Sequence, residues 1–136
     1  MKKKSLLICL MLAVLVLSSP VVAFCADNWG PWNTTSCYKG IQWRVRYNRK
    51  TTIKGKHEWG LEIRNRYTSK LYLSWELLEQ GKKLAKFRWR TNIKPGQKMY
   101  RHYMLTTPRG GTVTFWVGNV RIGSKDVGAY RKCDNR

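Results

Sequence analysis

Three Arg-x-Arg pairs are the residues whose type and spacing point most directly to chemistry: Arg44 with Arg46, Arg64 with Arg66, and Arg88 with Arg90. A spacing of two puts both members of a pair on one face of a β-strand. The guanidinium group is a planar fork of donors that matches phosphate, sulfate and carboxylate, so pairs tiling a single sheet would attract an anionic polymer. Lys82, Lys83 and Lys86 extend that surface from a neighbouring hairpin. Polar-out alternation is also what any one-sided sheet shows, and edge cations discourage aggregation. The charge total separates the two readings: 27 Lys and Arg against 7 Asp and Glu leave +20. A small domain usually carries a magnitude of roughly 2 to 8. Internal ion pairing cannot absorb the excess.

Catalytic and metal chemistry find little to work with. His57-Glu58 lacks the second histidine of a zincin helix, no G-x-S-x-G is present, and Asp27, Asp126 and Asp134 fall near the ends or in a loop. Glu58 and Glu62 sit among cations, which lower a carboxyl pKa where a general acid needs it raised. The two histidines, His57 and His102, are not near a C-x-x-C, so the expectation is a non-enzymatic protein without metal or cofactor. Trp29, Trp32, Trp116 and Tyr72 lie off the predicted core faces and are candidates for stacking on sugar rings.

The chain around these residues reads as an exported β-protein. Lys2, Lys3 and Lys4 precede an apolar run over 6–17 and then Ser18-Ser19-Pro20, the layout of a secretory signal peptide. A run of that length is shorter than the roughly 20 residues needed to cross a bilayer. Residues 1–25 are therefore expected to be the signal, cleaved between 23 and 26, and residues 26–136 a single domain carrying +17 once those three lysines are lost. Cleavage after Cys25 leaves Cys37 and Cys133, an even pair in an oxidising compartment, for one disulfide that joins the two ends of the domain. In the chain-entropy model a loop of that size contributes roughly 4 to 5 kcal/mol.

Alternation with period two marks strands over 42–48, 59–67, 71–77, 84–91, 99–106 and 112–121, with a last short one near 127–132. Gly81 and the Pro95-Gly96 pair supply turns between them. No period-3.6 segment competes, so the expected fold is all-β: one antiparallel β-sandwich of immunoglobulin-like type with six to seven strands. Trp43, Trp59, Trp75, Trp89 and Phe115 are expected to fill its interior. The opening Trp29-Gly30-Pro31-Trp32 through Cys37 resembles the first strand of a thrombospondin type 1 repeat, in which tryptophans stack between arginines. The likeness covers nine residues. That family carries six cysteines in about sixty residues, so neither its disulfide framework nor its ligands transfer.

Two functions follow as expectations. The first is a binding module for an anionic polymer or surface, such as lipopolysaccharide, acidic polysaccharide or extracellular nucleic acid. The second is an adhesin-like or envelope assembly subunit whose charge serves an acidic protein partner or solubility.

Overall fold

The computed structural model describes residues 28–83 and 86–127. The expected signal, Cys133, and nearly all of the last expected strand lie outside the described residues. The described chain is all-β. Its strands are β1 (Asn33–Thr34), β2 (Ile41–Lys50), β3 (His57–Asn65), β4 (Leu71–Glu79), β5 (Trp89–Ile93), β6 (Lys98–Leu105), β7 (Val113–Ile122) and β8 (Lys125–Asp126). Two four-stranded antiparallel sheets result, ordered β1-β2-β3-β6 and β5-β4-β7-β8.

The core lies between the inner faces of the sheets. Ile41, Trp43, Leu61 and Ile63 come from the first sheet, and Leu71, Trp75, Leu77, Phe115 and Val117 from the second. They are the apolar members of the period-two pattern, and their burial is what commits each strand to one register, since a one-residue slip would turn every one of them to solvent. The rings of Trp43 and Phe115 stack across the gap with centroids 5.3 Å apart.

The passage from one sheet to the other is clamped by Asn65, whose side chain is fully buried. Its amide donates to the carbonyls of Ser69 and Ile93, and its carbonyl oxygen accepts from the backbone N–H of Tyr67. A buried amide is tolerable only when its polar atoms are matched in this way.

Two expectations about strands are corrected. The strand expected over 84–91 begins only at Trp89, because the N–H of Arg88 donates to the Glu76 carboxylate instead of to the β-ladder. With β5 so short, Trp89 sits at its open end, 46% exposed, its ring stacked beside that of Trp75. It is not an interior residue. Trp116, expected to face outward and be accessible, is buried to 6% on the same row as Glu76, its partner across β4 and β7. The turn expected at Gly81 forms, with φ 81° and the Lys82 N–H bonded to the Glu79 carbonyl, but it does not close the expected tight hairpin, since the innermost pair of β4 and β5 is Trp75 with Trp89.

Candidate functional site

The three arginine pairs do not share a surface. Arg44, Arg46 and Arg64 stand on the outer face of the first sheet, whereas Arg88 and Arg90 belong to the β5 side of the second. Arg66 lies just past the end of β3, exposed, with its backbone N–H bonded to the carbonyl of Gly40.

On the first sheet the arginines are built into a stack. The guanidinium of Arg46 lies 4.7 Å from the ring of Trp29, Arg44 lies 4.9 Å from that ring and 4.5 Å from Trp32, and Arg64 lies 4.2 Å from Trp32. Tyr100 closes the far end, 5.7 Å from Arg46. Residues 44 and 46 occupy successive outward positions of β2, and Arg64 enters from β3 opposite Gln42, which continues the same row. The segment carrying both tryptophans is held alongside by the bond from the Gly30 N–H to the Val45 carbonyl, 2.8 Å.

The polar edges of this stack are also in use. Arg44 donates to Glu62 through Nε and Nη2, both at 2.7 Å, and Lys98 reaches the other oxygen of that carboxylate at 3.3 Å. Arg64 donates to the side-chain oxygen of Gln42 at 3.2 and 2.6 Å. With ring faces on one axis and acceptors at the edge, Arg44 and Arg64 are structural groups more than open anion receptors.

Every glutamate of the described chain is met by a cation. Glu58 accepts from Asn48, Arg49 and His102, bonds that hold its carboxyl below the usual range, the Asn48 bond foremost. The carboxylate of Glu76, almost wholly buried, binds Arg88 Nε at 3.0 Å and raises that arginine's pKa further. It also accepts from the Tyr103 hydroxyl, whose pKa is pushed up by burial first and by Glu76 second. Glu79 is held down to about 2 by Lys82 and by the hydroxyl and N–H of Thr106. Carboxyls tuned downward are poor proton donors near neutrality. Among the described residues no group of three or more His, Cys, Asp or Glu side chains is placed to hold a metal ion.

The second sheet carries a further group of exposed cations. Arg90 and Arg121 are exposed on either side of β4, and Lys82, Lys83 and Lys86 are exposed on the β4–β5 hairpin beyond Arg88. Between Arg90 and Arg121 lies a hollow of about 530 Å³ lined also by Tyr72, Ser74, Asn119 and Asp126. Arg121 was missed by sequence reasoning because it has no Arg-x-Arg partner. The ring of Tyr72 is covered by Arg121 at 4.2 Å and Lys70 at 5.2 Å. Of the aromatics expected to stack on sugars, Trp29, Trp32 and Tyr72 thus already hold cations, and Trp116 is buried.

No protein-family model, curated protein or solved structure matches the chain.

Proposed function

We propose that the protein is an exported, non-enzymatic module that binds an anionic polymer through the outer face of its second sheet. The surface comprises Arg90 and Arg121 flanking β4, with Lys82, Lys83 and Lys86 on the hairpin and Arg88 between them, its charge partly offset by Glu76. The observation that carries this reading is the contrast between the two sheets. Arg44, Arg46 and Arg64 of the first are held half-buried against Trp29, Trp32, Tyr100, Glu62 and Gln42, whereas on the second Arg90 stands exposed on β5, Lys83 and Lys86 on the connection before it, and Arg121, though it covers Tyr72, is exposed on β7. Of the glutamates on this sheet, Glu76 pairs with Arg88 and Glu79 with Lys82, which leaves Arg90, Lys83 and Lys86 as exposed charge that favours an external anionic partner.

Export and a Cys37–Cys133 disulfide belong to the same proposal. They rest on the N-terminal lysines with their apolar run and on the even pair of cysteines. Cys37 is exposed in the connection between β1 and β2, where a bridge to the chain end would fasten the first sheet. The strand order also supports an immunoglobulin-like topology, because β6 returns beside β3 in the first sheet while β7 returns beside β4 in the second.

The test is retention of the exported protein on heparin, DNA and lipopolysaccharide supports against a salt gradient. Replacing Arg90, Arg121, Lys82, Lys83 and Lys86 by Gln should move elution to much lower salt. On DNA, the slope of log affinity against log salt should fall by about 1 for each phosphate that the variant no longer neutralises. Elution of the unmodified protein at low salt from all three supports would overturn the proposal.

A further inference from the structure

We infer that the hollow between Arg90 and Arg121 is a subsite for one carboxylate-bearing sugar residue, a uronate, of the bound polymer; the inference rests on the polyanion-binding reading above. Its shape comes from a break in the β4–β7 ladder. Tyr72 pairs with Arg121, yet Ser74 pairs with Gly118, so Asn119 and Val120 together oppose Leu73. Such a bulge bends its strand and re-aims the side chains beside it. Val120 turns into the core with no exposure, and Asn119 turns outward, donating from Nδ2 to the Ser74 hydroxyl at 3.2 Å.

Asn119 holds a left-handed backbone, φ 50°. Glycine would take that conformation without cost, whereas asparagine adds an amide to it. One amide donor is spent on Ser74, and an asparagine side chain has a second donor and a carbonyl oxygen besides. Thr91 adds a hydroxyl to the same wall and Asp126 a carboxylate.

Arg90 and Arg121 stand on strands two places apart, about 10 Å across the sheet. At that separation one carboxylate reaches one guanidinium, and a pyranose ring between the two would turn its hydroxyls toward the other arginine and the hydrogen-bonding groups between them. The hollow's volume of about 530 Å³ is within the roughly 300 to 1,000 Å³ of small-ligand sites.

The chemistry favours a uronate over a nucleic acid. A sugar acid presents several hydroxyls, from which the Asp126 carboxylate and the Asn119 carbonyl can accept hydrogen bonds, together with one anion for one of the two guanidinium groups. A DNA phosphodiester strand offers no hydroxyl along its backbone, so the acceptors of this wall would find no donor on it. Strand-binding platforms also need a free aromatic face on which bases stack. The aromatic ring of this hollow, Tyr72, is occupied by Arg121 and Lys70.

Calorimetric titration of the exported protein with tri-galacturonate, its methyl-esterified neutral form and an oligothymidylate of equal charge tests the inference. Tri-galacturonate should bind about tenfold more tightly than either. Asn119→Gly, which keeps the bulge conformation, should bring the preference over the oligothymidylate close to one while leaving the preference over the ester, which the arginines supply, and the cooperative melt in place. Equal affinity for tri-galacturonate and the oligothymidylate, or an undiminished preference over the latter in a folded Asn119→Gly variant, would overturn the subsite and leave the parent reading standing. Failure on every anionic support overturns the parent reading, and the subsite with it.

Discussion

The ring of Trp32 lies 4.2 Å from the guanidinium of Arg64 on one side, and the same ring is 4.5 Å from Arg44. A single indole thus joins two strands through two cations, β2 by Arg44 and β3 by Arg64. The stack fastens the Trp29–Trp32 segment to the outer face of the first sheet.

Removing that indole should therefore cost stability. Each cation–π contact contributes about 0.5 to 2 kcal/mol according to its desolvation, so Trp32→Ala is expected to lower unfolding free energy by about 1 to 3 kcal/mol. Urea denaturation monitored by far-UV circular dichroism measures it. Trp32→Phe should recover part of the loss, since a phenyl ring keeps a π face for both guanidinium groups. A loss below about 0.5 kcal/mol, the level of an ordinary surface substitution, would mean that the stack is ornamental.

Gly60 makes the stack's far end possible. It lies beneath Tyr100 and Trp29, and a methyl group there would come within 2.9 Å of the Tyr100 hydroxyl oxygen and 3.2 Å of the Trp29 ring. Gly60→Ala should displace both rings and destabilise by about 1 kcal/mol, the low end of overpacking, because the closest atom is the tip of a side chain that can swing. Near-UV circular dichroism should change alongside the denaturation midpoint. An unchanged aromatic signal would show that neither ring rests on Gly60.

Glu79 links stability to acid. Its carboxyl pKa falls from 4.5 to about 2 on folding, so the folded state binds fewer protons there than the unfolded chain. The stabilisation is complete above about 4.5 and is lost as pH falls from there toward about 2. Lys82 is 62% exposed, so solvent screening reduces the contribution to about 1 kcal/mol. Glu79→Gln should flatten that part of the stability profile, roughly pH 5 to 2, while changing little near neutrality beyond the missing ion pair. Thermal melts across that range decide it, and an identical acid slope in the variant would reject the assignment.

The amino-acid pattern alone determined the strands, because alternation is a local property: Trp43, Leu61, Ile63, Trp75 and Phe115 announce their inward faces by period two, and each is buried. The turn at Gly81 was legible too, from a positive φ that glycine meets at no steric cost, though the tight hairpin expected there was not formed. Which arginines lie together was not legible, since Arg-x-Arg says which face of a strand a pair occupies and nothing about which sheet the strand joins. Arg44 and Arg64 became neighbours only through the β2–β3 register, and Arg90 met Arg121 only because β5 and β7 both pair with β4. Trp89 and Trp116 failed local reasoning for a related cause. Exposure depends on how far a neighbouring strand extends and on what a buried carboxylate such as Glu76 draws toward itself, and both are decided by contacts between residues far apart in the chain.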